Sequence, residues 1–297
     1  MEDFIKTLFL PLALMIIMFG MGMTLTPADF KRVILAPKAK LLGLFNQLVL
    51  LVVVAFVLAH IFRLPGELAV GLMLIAACPG GPTSNIISHL SNGDTALSVT
   101  LTAISSTVTV FTIPLIMAFS MGHFMQDSQV IHLPFGKTVL QLMIVTIIPI
   151  SLGMLLHAGK PAFTDRMTRP VNIVSVIFLA LVIGVAVLQE EELGRQFMEA
   201  GPATIALNLL TMGIGFLVAF LFRLPVRQRI TISIESGIQN GTLALAIALG
   251  IMGSSRIAVP AVVYSLLMFG TGGWMILRFG RRNERAVPVS ADTLYGG

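Results

Sequence analysis

Charge is scarce in this chain. Of its 297 residues, 11% are Asp, Glu, Lys or Arg, against about 25% in an average soluble domain. A chain of this length with so few charges cannot cover a water-facing surface of its own size. Cysteine is almost absent too: Cys78 is the single one, which excludes a disulfide framework. No stretch between the apolar blocks is long enough for a soluble domain. His-Glu-x-x-His, an Asp-rich metal motif and a Gly-x-Ser-x-Gly elbow are all missing, which argues against an enzyme. No ring-forming filter sequence points to a channel. The start does not read as a removable signal peptide. The first apolar block runs past Met21 without a small-residue cleavage site, and Glu2 and Asp3 are the wrong flank for one.

What is present is apolar sequence in long blocks. Hydrophobic residues make up 56% of the chain, and the mean hydropathy is +0.94. A helix needs about 20 apolar residues to cross a bilayer. The blocks predict an all-α integral membrane protein with nine transmembrane helices, at 5–25, 38–60, 67–91, 94–120, 136–157, 170–189, 201–222, 227–252 and 256–279. Short separators divide them: Thr26-Pro27-Ala28-Asp29, Arg63-Leu64-Pro65-Gly66, Lys160-Pro161 and Gly201-Pro202. Residues 283–297 read as a disordered cytoplasmic tail.

An odd number of spans puts the termini on opposite sides, and the positive-inside rule chooses between them. With the N-terminus outside and the C-terminus cytoplasmic, 14 Lys and Arg fall inside, among them Lys31, Arg32, Lys38, Lys40, Arg166, Arg169, Arg223, Arg227, Arg229 and Arg278. Lys6, Arg63, Lys137, Arg195 and Arg256 fall outside, with the acidic run Glu190-Glu191-Glu192. The sequence pI of 9.8 is therefore a topology signal, not a sign of nucleic-acid binding. The bias predicts a multi-pass plasma-membrane protein, in a bacterial inner membrane. The lipid bilayer is its surroundings and the chain is read as a monomer. Trp274, near the inner end of the last span, reads as an interfacial anchor.

Phe62-Arg63-Leu64-Pro65 recurs as Phe222-Arg223-Leu224-Pro225. Each copy precedes an interrupted span. The first interruption is Cys78-Pro79-Gly80-Gly81-Pro82-Thr83-Ser84-Asn85, in span three. The second is Glu235-Ser236-Gly237-Ile238-Gln239-Asn240-Gly241, in span eight. Spans three and eight differ by an odd number, so the copies run oppositely through the membrane. This predicts an inverted repeat. Residues 1–122 would hold the first copy (spans one to four, one helix short), and residues 134–280 the second copy with span five. Paired broken helices in corresponding places are the sequence pointer to a transporter's binding site.

Unpaired backbone in hydrocarbon costs several kcal/mol per group, so a broken helix must lie in protein or line a wet cavity. Pro82 suits the first turn of a new half-helix. The free N–H groups near Thr83 and Ser84 would favour an anion, and the carbonyl end near Cys78 a cation. Of 14 Asp and Glu, Glu235 alone sits mid-span, with no Lys, Arg or His within five residues. A lone buried carboxylate neutralises or finds a partner. A sodium ion, a proton, or neighbouring hydrogen-bond donors in a purely structural role would each serve. Oxygen-bearing side chains that suit a hard cation stand nearby in sequence. They are Ser84 and Asn85, Gln239 and Asn240, Ser98 and Thr102 on one face of span four, and Asn46 and Gln47 midway along span two. Hydroxyls and amides of this kind also serve as plain interhelical hydrogen bonds.

At these residues the chain resembles the bile acid:sodium symporter family, including its bacterial pantoate-type members. The resemblance runs from about Leu14 to Arg278. It rests on Ile17-Met18-Phe19-Gly20-Met21-Gly22-Met23-Thr24-Leu25 and on the two interruptions. It implies a core domain whose two broken helices cross at mid-membrane, and a panel domain that rocks against it. It also implies two sodium sites. Ser84, Asn85, Ser98, Thr102 and Glu235 would form the first. Gln47, Glu235, Gln239 and the backbone carbonyls near Ser236 and Ile238 would form the second. An organic anion, bile acid-like or a small carboxylate such as pantoate, would lie beside the crossing. Thr83, Asn240, Pro82 and Gly241 would be its contacts. Two departures stand out. The chain reads as one helix short, the first of the ten that many bacterial relatives have, and Pro82 stands where those relatives commonly carry Thr. The expected function is sodium-coupled symport of an organic anion by alternating access. The competing expectation is a proton-coupled or uncoupled organic anion efflux carrier, in which Glu235 alone would serve a proton.

Overall fold

The computed structural model describes residues 10–23, 37–125, 143–167 and 193–280, with residues 140, 170–171, 173–174 and 177 between them. Every regular element among the described residues is a helix. α1 is Leu10–Gly22. α2 runs through Pro37–Phe45, a π turn at Asn46–Leu50, and Leu51–Ile61. α3 is Gly66–Ala77 and α4 is Pro82–Leu90. α5 is Thr95–Phe124. α6 joins a π turn at Met143–Ile147 to Ile148–Gly159. α7 is Leu193–Leu221 and α8 is Val226–Gly237. α9 is Gly241–Leu245, extended by a π turn over Ala246–Ile251, and α10 is Ser255–Phe279.

Apolar side chains cover the surface, and a set of polar ones is buried within an otherwise apolar core. Leu41, Phe45, Val49, Val53, Val57 and Ile61 recur every four residues along α2 and are all exposed. Water-soluble proteins rarely expose a continuous apolar stripe of this kind, and hydrocarbon tolerates it. Ser84, Ser98, Thr102, Glu235 and Gln239 are buried instead. By length and composition, three helices suffice to cross a membrane: Lys38–Ile61, Gly194–Leu221 and Ser255–Phe279. The two arms of α5, Thr95–Thr109 and Phe111–Phe124, pass the same test together across a bend of 58°. Pro114 removes a helix hydrogen bond beside that bend.

The two Phe-Arg-Leu-Pro segments fold alike. Arg63 and Arg223 both take the left-handed conformation, with φ of 50° and 58°. Leu64 N donates to Ala59 O and Leu224 N to Ala219 O, each at 3.0 Å. Pro65 and Pro225 then begin α3 and α8, where a missing N–H costs nothing. α3 packs on α10 and α5, and α7 on α8 and α10. α1 packs chiefly on α6. There the backbones touch: a Cβ on Gly22 would run into the Ile150 backbone.

Two boundaries differ from the sequence reading. Gly201-Pro202 is not a separator, because α7 runs through it from Leu193. Residues 193–200 are mostly good helix formers, and Arg195 pairs with Glu199 one turn on at 2.9 Å, so the helix starts early and carries Pro202 inside. The interruptions are also shorter than the polar runs that announced them. Pro82 to Asn85 already form the first turn of α4, and Glu235 to Gly237 the last turn of α8. Most of the span expected at 170–189, the acidic run Glu190-Glu191-Glu192, and the tail at 283–297 lie outside the described residues.

Candidate functional site

Helices α3 and α8 each end after 12 residues. That is about 18 Å of helix, well short of a bilayer core of about 30 Å. Each resumes after a few extended residues, and the two interruptions meet. Gly80 pairs with Gln239 as an isolated antiparallel bridge, and Asn240 N donates to Pro79 O at 2.8 Å. Backbone groups that the breaks strip of helical partners thus satisfy one another. Neither Gly80 nor Gln239 is accessible from the surface.

Glu235 lies at this meeting point with no exposed surface. Ser98 Oγ donates to its Oε1, and Thr102 Oγ1 donates to its Oε2 at 3.0 Å. The same two hydroxyls face Asn85 Oδ1, at 2.8 and 3.3 Å. Each hydroxyl carries one proton. Two protons therefore stand against four oxygen contacts around a carboxylate, so acceptors outnumber donors. Ser84 Oγ completes the wall and donates to Gly81 O at 2.8 Å. Gly80 closes it from α3's side. A Cβ there would lie 2.6 Å from Glu235 Oε2, 3.1 Å from Gln47 Nε2 and 3.3 Å from Ser84 Oγ. Only glycine leaves these three groups free to converge.

Two buried amides, Gln47 and Gln239, also belong to this region. Gln47 is buried in the π turn of α2, and neither atom of its amide has a hydrogen-bond partner. Gln239 donates through Nε2 to the carbonyls of Glu235 and Ser236, at 3.2 and 3.1 Å. Its Oε1 is unpartnered and buried. An unpaired buried amide oxygen costs about 1–3 kcal/mol, and oxygens of this kind suit a small hard cation. The Ser236 carbonyl keeps one lone pair after accepting from Gln239. Ile238 caps α8, with its N–H on Ile234 O at 2.8 Å.

Asn240 caps α9 through Oδ1, which accepts from Leu243 N at 3.0 Å, while its Nδ2 is left without a partner. Pro82 and Thr83 open α4 and are partly exposed. Gly241 is buried, as Asn240 is, and a Cβ on it would strike Ser265 Oγ of α10, so its lack of a side chain serves packing.

Asn208 and Tyr264 were not singled out by the sequence reading. Asn208 Nδ2 and Tyr264 Oη both donate to Gly237 O, at 2.7 and 3.0 Å. They hold the last carbonyl of α8. The signal was there: Asn208 is an amide in the middle of an apolar span, as Gln47 is.

Comparison with known proteins gives a family match. A model of the sodium bile acid symporter family matches residues 11–196, more than half of the chain. The "Uncharacterized sodium-dependent transporter YocS" of Bacillus subtilis is 31% identical over 258 residues, covering 84% of this chain and 76% of that protein. The "Probable sodium/metabolite cotransporter BASS1, chloroplastic" of rice, Oryza sativa subsp. japonica, is 30% identical, covering 84% of this chain and 60% of that one. The mouse "Sodium/bile acid cotransporter 4" is 31% identical, covering 80% of this chain and 55% of its own. The chain thus spans less than two thirds of the rice and mouse proteins.

Proposed function

The chain belongs to the sodium bile acid symporter family, and we propose that it couples two sodium ions to the movement of one organic anion by alternating access. The family is one of sodium-dependent transporters, not of enzymes. One observation carries the finer reading. Glu235 is buried where two broken helices meet, and more oxygen acceptors than donors surround it. In this proposal Ser84, Asn85, Ser98, Thr102 and Glu235 hold the first sodium. Gln47, Glu235, Gln239 and the carbonyls of Ser236 and Ile238 hold the second. Glu235 is shared, so one buried carboxylate would be paired with both ions.

The anion is proposed to sit beside the crossing. The unpartnered Asn240 Nδ2 and the N-terminal end of α4 at Pro82 and Thr83 would meet its negative charge. Gly241 would contribute through its backbone. The substrate class is a bile acid-like molecule or a small carboxylate such as pantoate.

The architecture proposed with this function has nine spans in an inverted repeat, residues 1–122 and 134–280. The matched Phe-Arg-Leu-Pro turns and the two 12-residue half-helices support it. α1 and α6 pack chiefly on each other, which supports a panel that moves against the remaining core. An outside N-terminus in a bacterial inner membrane, a cytoplasmic tail over 283–297 and a monomeric state belong to the same proposal.

A tenfold sodium gradient is worth ~1.4 kcal/mol per ion, and one net charge adds ~2.3 kcal/mol at 100 mV. Two ions with one monovalent anion therefore have roughly 5 kcal/mol, enough for about a 10³–10⁴-fold accumulation. Uptake of taurocholate, pantoate and pyruvate into proteoliposomes, with sodium or choline outside, tests the proposal. Stimulation by sodium is expected for whichever anion is carried. Equal transport in choline, driven instead by a pH gradient, would favour the proton-coupled carrier.

A further inference from the structure

His60 and His123 lie in the last turns of the second half of α2 and of α5. Both are exposed, 63 residues apart in sequence, and their Nε2 atoms are 2.9 Å from each other. His60 Nδ1 lies 2.9 Å from the carbonyl oxygen of Phe56. A carbonyl only accepts, so Nδ1 carries the proton and the lone pair of neutral His60 is on Nε2. This is the arrangement of a metal-binding histidine, whose second nitrogen donates to a backbone carbonyl that fixes its tautomer and ring direction. In the metal-free pair His123 Nε2–H donates to His60 Nε2. If His123 takes its Nδ1–H tautomer, a second lone pair turns towards the same point and no net proton is released.

The rings are held for this. Phe56 contacts both imidazoles, with centroids 4.5 Å from His60 and 5.1 Å from His123. Phe119 stacks on His123 at 5.9 Å, and Phe124 meets it edge-on at 4.8 Å. Metal–imidazole bonds are about 2.0–2.1 Å long. Two such bonds at a right angle set their nitrogens about 2.9 Å apart, whereas tetrahedral bonds set them about 3.3 Å apart. The 2.9 Å of the metal-free pair is the length of its N–H···N hydrogen bond; the choice of ion rests on the affinity of imidazole nitrogen for late first-row ions.

We propose that His60 and His123 form a surface site for a late first-row divalent transition ion, Ni²⁺ or Cu²⁺, with water filling the other positions. The site lies apart from Glu235 and uses no residue of the sodium sites. A bound ion ties the end of α2 to the outer arm of α5.

The test is calorimetric titration of Ni²⁺ into the purified full chain, with any affinity tag removed, for wild type, His60→Ala, His123→Ala and the control His89→Ala. Loss of an outer hydrogen-bond partner alone typically costs about 10–100-fold in metal affinity, so loss of a ligand should cost at least about tenfold. Wild type and His89→Ala are expected to bind one Ni²⁺ per chain, and the other two variants at least about tenfold more weakly. Thermal unfolding gives a second readout: Ni²⁺ should raise the midpoint of wild type and leave both variants unmoved. No saturable binding to wild type, or equal affinity in His60→Ala or His123→Ala, would overturn the site.

Discussion

Asn240 N donates to the Pro79 carbonyl at 2.8 Å, and this bond joins two chain breaks that lie 161 residues apart in sequence. It makes one unit of the two interruptions: what disturbs one half-helix pair must disturb the other. The side chains around Glu235 come from α2, α4 and α5, and this backbone pairing ties α3 and α4 to α8 and α9 beside them.

Gly80 lies among these side chains. Gly80→Ala would put a methyl 2.6 Å from Glu235 Oε2. We predict a loss of stability of about 1–3 kcal/mol from overpacking, seen in thermal unfolding, together with weaker sodium binding. A variant as stable as wild type with unchanged sodium affinity would contradict the convergence on Gly80.

Thr102→Val keeps the shape and removes the hydroxyl that donates to Glu235. A hydrogen bond to a charged group is worth about 1.5–3 kcal/mol. Sodium affinity should fall roughly tenfold or more in calorimetry, and Thr102→Ser should restore most of it. If Thr102→Val binds sodium as wild type does, Thr102 is a packing residue and not a ligand.

Tyr264→Phe leaves Asn208 as the only side-chain donor to Gly237 O. We expect a cost of about 0.5–1.5 kcal/mol in thermal unfolding. The double variant with Asn208→Ala should lose more than the sum of the two single changes. Additive losses would show that the two donors do not share the carbonyl.

Pro82→Thr tests the division of labour at the first break. Pro82 is partly exposed at the start of α4. The expected result is an altered order of preference among taurocholate, pantoate and pyruvate, with sodium binding unchanged. A change in sodium affinity with no change in preference would assign Pro82 to the wrong function.

Much of the site was legible from sequence because burying polar groups is costly. Glu235 declared itself as the one acidic residue inside an apolar block, and the structure surrounds it with Ser98 and Thr102, which share a helix face four residues apart. The Pro-Gly-Gly-Pro run announced a break, because no continuous helix tolerates it. Other features needed three dimensions. The π turn that buries Asn46 and Gln47 together leaves no mark in local composition. The clamp of Asn208 and Tyr264 on Gly237 joins residues 27 and 29 positions away. The meeting of His60 and His123 depends on the path of α5, and the packing of Gly241 against Ser265 depends on that of α10. Gly201-Pro202 misled, because Pro usually marks a helix boundary and here a strongly helical stretch runs through it.

The most direct measurement is sodium binding to the purified protein by calorimetry, in choline buffer at neutral pH, for wild type and Glu235→Ala. The account predicts saturable binding to wild type and its loss in Glu235→Ala, because both proposed sodium sites share that carboxylate. Folded wild-type protein that binds no sodium, or a Glu235→Ala variant that binds it undiminished, would contradict the account.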